Sequence, residues 1–201
     1  MENNYQYIDL NFEYTNRKGV LHNIANIEDE KILLAYESLR VSKRVEELIE
    51  NPIKIIDSNS LLIIHHYLFQ DVYQWAGKVR TVNISKDGKP FFDGERFNIA
   101  FQYIDNLIIE FKTLKNTNKK ALAYKLAEIL DNVNYLHPFR DGNGRTQREF
   151  LRLLALEKGM QLNLNPPDNK NVYQRYMHGT INSDTDTLYK LLLEQIENKK
   201  K

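Results

Sequence analysis

The chain predicts an all-α domain carrying one short β-hairpin, and three observations lead there. Apolar residues recur at helical spacing through most of its length, residues 79–92 alternate with period two instead, and Gly, Pro or Asn marks the joins. With 201 residues, 42% hydrophobic and 27% charged, the chain can bury one sizeable core. A net charge of +1 argues against direct nucleic-acid binding through a global field, and the absence of cysteine excludes a disulfide framework. The first residues lack a basic-then-apolar leader and no run reaches membrane-spanning length, so a cytoplasmic protein with no membrane partner is the expectation.

Residues 1–30, with Tyr5, Tyr7, Phe12, Tyr14 and a turn at Lys18-Gly19, read as an irregular arm. From Asp29 to about Glu50, Ile32, Leu33, Tyr36, Leu39, Val45, Leu48 and Ile49 predict a helix that Asn51-Pro52 ends. A second helix is predicted from Ser58 or Ser60 to Trp75-Ala76, closed by Gly77. His65 and His66 within it are adjacent, so they cannot share a face as a metal pair and are read as packing residues. Val79, Thr81, Asn83 and Ser85 alternate with Arg80, Val82, Ile84 and Lys86, and Asp87-Gly88 then precedes Lys89-Pro90-Phe91-Phe92, a hairpin signal.

Helices follow at Glu95 to about Leu114 (Phe97, Phe101, Ile104, Leu107, Ile108, Phe111) and at Lys120 to Leu136 (Leu122, Leu126, Ile129, Leu130, Val133). The next is predicted to open at Gly144, bury Phe150, Leu151, Leu154 and Ala155, and end at Lys158-Gly159. Asp168 is the expected cap of a helix reaching Gly179, and Asp184 or Asp186 begins a last one running to Asn198. The main domain thus spans residues 31–198, and Lys199-Lys200-Lys201 is a basic tail.

The richest chemistry lies in His137-Pro138-Phe139-Arg140-Asp141-Gly142-Asn143-Gly144-Arg145-Thr146-Gln147-Arg148. Gly142 and Gly144 admit unusual backbone geometry and close ligand approach, and a helix starting at Gly144 aims its first N–H groups at the turn as an anion site. Arg145, Arg148 and Arg152 share a helix face, and two of them sit where the dipole disfavours a cation, a placement that an anionic ligand explains. Asp141 is a hard-oxygen ligand suited to magnesium, and at position 137 stands a histidine, a residue type whose unperturbed pKa suits proton transfer near neutral pH.

This window resembles the signature of the Fic family, His-x-Phe-x-Asp/Glu-Gly-Asn-Gly-Arg-x-x-Arg, with no position departing from it. The resemblance implies a Fic-type helical bundle whose enzymes transfer AMP from ATP, with Mg2+, to a Ser, Thr or Tyr hydroxyl of a target protein and release pyrophosphate. It assigns His137 as the base, Asp141 as the metal ligand, and Phe139 as an apolar anchor. Arg140, Asp141, Gly142, Asn143, Gly144, Arg145, Thr146 and Arg148 become nucleotide-binding residues: the Gly-Asn-Gly turn cradles phosphates, partly through the Asn143 side chain, and Arg145 and Arg148 neutralise the β- and γ-phosphates. The hairpin becomes a flap (Ile84, Ser85, Lys86, Asp87, Gly88, Lys89) that docks an extended target segment by strand addition. Asn134 stands as a candidate to orient His137, and Tyr173 and Met177 as adenine-pocket candidates.

Many relatives are restrained by a helix bearing Ser/Thr-x-x-x-Glu-Gly/Asn, whose glutamate pairs with the second motif arginine, here Arg148. Ser42 finds Glu46, but Glu47 follows it, so the pattern fails at its last position. The resemblance then implies a small antitoxin supplying that helix in trans. The alternatives are a Fic-fold phosphotransferase, against which Gly144 argues, and a nucleotide-binding module without turnover, against which His137 and Asp141 argue.

Overall fold

Residues 5–7, 12–86 and 88–198 are described by the computed structural model, residues 5–7 and 198 through their backbone. The chain divides into two compact units: residues 1–53, 61–97 and 137–146 form the first, and 54–60, 98–136 and 147–201 the second.

In the first unit, α1 (Glu30–Glu50) starts at Asp29, whose carboxylate accepts the Ile32 N–H at 3.0 Å. Its buried residues are Leu33, Glu37, Val41 and Leu48, a set that includes a carboxylate. The predicted stripe is half corrected by this, since Ile32, Leu39 and Ile49 are exposed: 33, 37 and 41 repeat every four residues along one face, and 32 and 39 fall toward the opposite side of the helix.

The second helix, α2 (Ser60–Phe69), stops well short of the predicted Trp75-Ala76. From Gln70 the chain turns back on itself, so that the Trp75 ring stacks on Tyr73 at 4.3 Å and lies 5.9 Å from His65. Continued helix would carry Trp75 away from those rings. The turn ends at Gly77, where φ is +81° and a Cβ would come within 2.7 Å of the His66 Cβ.

The predicted hairpin is present but shorter. Strand β2 (Ile84–Lys86) pairs antiparallel with β3 (Lys89–Pro90), while residues 79–83 stay outside the sheet because Arg80 engages the Val82 carbonyl and the Asn83 side chain. The arm is not wholly irregular, since β1 (Tyr5–Tyr7) pairs with β2 in the register Gln6 to Ser85, giving the order β1-β2-β3. Further along, Thr15 bridges Leu21 around a turn whose Gly19 has φ +80°.

A short 3-10 turn, Gly94–Arg96, leads into α3 (Phe97–Thr113), so the predicted start at Glu95 belongs to that turn. In the second unit α4 (Lys119–Leu136) buries Leu122, Leu126, Ile129, Leu130 and Val133 as expected. Helix α5 (Asn143–Glu157) buries Phe150, Leu151, Leu154 and Ala155, the Phe and two Leu side chains each contributing about 1.5–3 kcal/mol. The extended segment 54–60 is pinned by carboxylates, Ile55 N–H donating to Glu157 and Ser58 N–H to Asp105, both at 2.7 Å.

Helix α6 (Lys170–Asn182) is capped by Asn169 rather than Asp168. It runs through Gly179, where a Cβ would meet the Leu188 side chain at 2.5 Å, and closes at Ser183 in the left-handed region. Helix α7 (Thr185–Gln195), capped by Asp184, ends before the predicted Asn198. Its last residues instead form β5 (Glu197–Asn198), paired with β4 (Met160–Gln161).

Candidate active site

Between the end of α4 and the start of α5 the chain makes the turn that carries the motif. His137 has φ +44°, an uncommon conformation for a residue with a Cβ, and its side chain is buried with the ring stacked on Phe91 at 3.8 Å. The strained backbone is held by Arg80. Arg80 Nε donates to the His137 carbonyl at 2.9 Å, the Arg80 N–H donates to the Pro138 carbonyl at 2.8 Å, and the two outer nitrogens donate to Val82 (2.7 Å) and Phe92 (2.5 Å). One buried guanidinium thus ties the flanks of the hairpin to the backbone of the candidate base. Burial lowers its pKa to about 10.

At the other end of the turn, His65 Nε2 bonds the Asp141 carbonyl at 3.0 Å, while His65 Nδ1 accepts the Gly77 N–H at 2.8 Å. A ring accepting at Nδ1 donates from Nε2, so the imidazole is the neutral Nε2–H tautomer, and burial takes its pKa down to about 3. His65 also stacks on Phe139 at 3.8 Å, which makes Phe139 the expected anchor and His65 the expected packing residue. Gly142 has φ +78°, and a Cβ there would lie 2.5 Å from the Phe69 ring.

The helix opens one residue earlier than predicted. The first α5 bond runs from Thr146 N–H to Gly142 C=O at 3.0 Å, so Gly144 is helical and Gly142 alone of the pair needs positive φ. Asn143 departs from expectation too. Its Oδ1 accepts the Phe139 N–H at 2.9 Å and its Nδ2 donates to the Phe139 carbonyl at 2.7 Å, so the buried side chain builds the turn. The backbone N–H groups of Asn143, Gly144 and Arg145 have no intrahelical acceptor and face the turn, the geometry of an anion site.

The three arginines of α5 do not form one free cationic face. Arg145 ion-pairs closely with buried Glu37 of α1, has a second nitrogen 3.5 Å from Asp141 Oδ1, and lies 4.6 Å over the Phe69 ring. Burial pulls the Arg145 pKa down, but Glu37 and Asp141 together outweigh it and leave it raised; the other Glu37 oxygen accepts the Tyr73 hydroxyl. The cation in the first turn therefore has protein carboxylates as counter-charge. Arg148, within the second unit, lies 5.5 Å from both the Tyr173 and Tyr176 ring centres and forms no ion pair among the described residues. Arg152 pairs with Glu149 at 2.7 Å.

Of the other predicted residues, Arg140 and Thr146 are buried, and Thr146 spends its N–H on the helix. Asn134 donates to the Thr180 carbonyl at 2.9 Å; Tyr173 and Met177 are half-buried on α6. Asp87 of the flap lies outside the described residues, and Gly88 turns the hairpin with φ +75°. Strand β1 covers one edge of β2, leaving β3 as the outer edge, where Pro90 has no N–H to offer.

The residues fit a magnesium-nucleotide. Asp141 has a side chain 43% exposed, its Oδ1 accepts the Gly142 N–H, and its Oδ2 has no hydrogen-bond partner among the described residues. Among those residues no group of three or more His, Cys, Asp or Glu could hold a metal, so Asp141 would be the one carboxylate at the turn to meet a magnesium ion carried in on a nucleotide.

Arg80 and Glu37 escaped the sequence reading. Both are charged residues in apolar positions of a pattern, Arg80 in register with Val82 and Ile84, and Glu37 between Leu33 and Val41. That misfit was the available signal.

The model of the Fic/DOC family matches residues 55–155. "Protein adenylyltransferase VbhT" of Bartonella schoenbuchensis is 34% identical over 78% of this chain, which spans 33% of that relative's length. "Probable protein adenylyltransferase y4lH" of Sinorhizobium fredii is 31% identical, with 87% of this chain and 88% of the relative covered. The structure of the effector BepC of Bartonella tribocorum, solved with bound AMPPNP, superposes with a TM-score of 0.83 at 19% identity over 96% of this chain and 100% of that one, which shows the fold. With the unbroken motif on its turn, the matching helices around it and a relative aligned along nearly the whole length, the chain belongs to the Fic/DOC family.

Proposed function

We propose that this chain is a protein adenylyltransferase that moves AMP from Mg-ATP to a Ser, Thr or Tyr hydroxyl of a target protein and releases pyrophosphate. The observation that carries it is His137 and Asp141 at the two ends of one braced turn that opens on the N-terminus of α5. The relatives named adenylyltransferases support the same chemistry.

In the reaction the target oxygen attacks the α-phosphorus and forms the new P–O bond. The bond from the α-phosphorus to the bridging oxygen breaks, its electron pair leaves with pyrophosphate, and the hydroxyl proton passes to the His137 ring. Magnesium, when bound at Asp141, supplies charge neutralisation across the phosphates. The first N–H groups of α5 hold phosphate oxygens, and Arg148, without an ion pair of its own, is the cation available to the polyphosphate. Phe91 on the His137 ring places the flap beside the base, consistent with docking of an extended target segment along the hairpin.

Regulation by a small antitoxin-like partner that presents a carboxylate to Arg148 belongs to the same proposal. It is supported by the failed Ser42-to-Glu46 pattern and by the lack of an ion pair at Arg148 among the described residues. Among the described residues no helix is long and apolar enough to cross a membrane, and a cytoplasmic site of action, where ATP is abundant, completes the proposal.

The test is incubation of purified protein and His137→Ala with α-labelled ATP, magnesium and a bacterial lysate. Label should pass to protein with the wild type and fall by about 10²–10⁴-fold in the variant, the usual worth of a general base. Transfer of γ-label instead would replace adenylylation by phosphotransfer, and movement of neither label would sink both.

A further inference from the structure

Glu37 sits in the buried stripe of α1, with its side chain 5% exposed. Its carboxylate is shared between two partners: one oxygen pairs with Arg145, the other accepts the Tyr73 hydroxyl. A buried ion pair is weak evidence for stability, because desolvation offsets the Coulomb gain. Its location suggests another purpose. The same guanidinium stands 3.5 Å from Asp141 Oδ1, too far for a full hydrogen bond, while it holds Glu37 in close contact.

One guanidinium therefore meets two carboxylates, and the charges of Glu37, Arg145 and Asp141 sum to −1. Arg145 lies in the first turn of α5, four residues after Asp141 of the preceding turn, so without a competitor its fork is near enough to close on Asp141 in a bidentate pair and neutralise it. We propose that Glu37 is a positioning residue that draws Arg145 off Asp141, keeping Asp141 Oδ2 open and the site net negative for the magnesium of a bound nucleotide. Tyr73 fixes the Glu37 carboxylate, and the Phe69 ring supports the Arg145 plane from below. Arg145 then acts through Asp141, and the phosphate-facing role falls to Arg148.

The inference rests on Asp141 as the metal-binding carboxylate, and binding measurements test it independently of AMP transfer. ATP would be titrated calorimetrically into the whole chain, without magnesium and at a series of magnesium concentrations. Glu37→Gln should weaken the apparent magnesium constant about 10- to 100-fold, the range for residues that orient a metal ligand, while metal-free ATP affinity stays equal or rises because a negative charge is gone. A general packing defect would weaken both together, and that result would overturn the proposal.

The double variant Glu37→Gln with Arg145→Met leaves no cation to collapse on Asp141 and no buried charge unpaired, so it should recover magnesium coupling to within about threefold of wild type. A folded double variant that stays uncoupled would overturn the proposal even if Glu37→Gln itself does not fold. Wild type that binds ATP with no magnesium dependence would overturn it together with the metal role of Asp141. Intact magnesium coupling without AMP transfer would instead count against adenylylation alone.

Discussion

The two ends of the motif turn are fastened by opposite devices. At His137 the clamp is a cation, Arg80, donating to carbonyl oxygens. At Asp141 it is a neutral imidazole, His65, donating to one carbonyl and accepting one N–H. Both side chains are buried, and burial moves both pKa values down, to about 10 for Arg80 and about 3 for His65. The consequence differs. Arg80 stays charged across the physiological range and clamps the His137 carbonyl regardless of pH, whereas His65 must stay neutral and its clamp is vulnerable to acid. His137 and Asp141, four positions apart, can thus be held with different tolerances by matching each to its own donor.

The largest way to break this comparison is Arg80→Met. It strands the His137, Val82 and Phe92 carbonyls, and at about 1–3 kcal/mol for each buried group left unsatisfied the total loss should reach about 4 kcal/mol by urea denaturation. A loss under about 1 kcal/mol would mean that the carbonyls are served by other donors.

Gly142→Ala probes the Asp141 end by shape. The added methyl meets the Phe69 ring at 2.5 Å in a backbone conformation with φ +78°, so a cost of about 2–3 kcal/mol is expected. Adding Phe69→Leu should return part of it by relieving the clash but not the dihedral. If the pair is no better than the single change, the ring is not the obstacle.

Per unit of pH, the smallest effect is the acid dependence of His65. Its folded pKa of about 3 lies below the ordinary 6.5, so between those values the unfolded chain binds the extra proton. The contribution is complete above pH 6.5 and declines toward pH 3, at up to about 1.4 kcal/mol per pH unit. Unfolding free energies of wild type and His65→Gln, compared at several pH values in that window, should differ in slope by that amount. Parallel lines would mean that the imidazole already carries its proton in the fold.

How far these features could be read in advance depends on the kind of signal. The helices that bury continuous apolar faces, α4 and α5 above all, were legible because period and burial coincide. In α1 the apolar positions are more numerous than the buried face can hold, and the one polar member of that face, Glu37, was the informative one. The motif residues were legible as a string, but their division of labour was not. Asn143 turned out to fasten Phe139 and Arg145 to answer Glu37, contacts with residues near and far that spacing alone cannot reveal. Arg80 was hidden by its neighbours, since a period-two alternation reads as strand until the guanidinium takes the carbonyls that a strand partner would need.

Strand β1 on the edge of β2 turns the hairpin into a three-stranded sheet whose third member comes from the far end of the chain, Gln6 opposite Ser85. A strand tethered to its own acceptor behaves as a ligand that cannot diffuse away, at an effective concentration on the order of millimolar. Any outside segment that pairs with this edge therefore competes against a resident, and a freely diffusing strand present at micromolar levels gains the edge only when its side chains supply what the tether supplies to Tyr5–Tyr7.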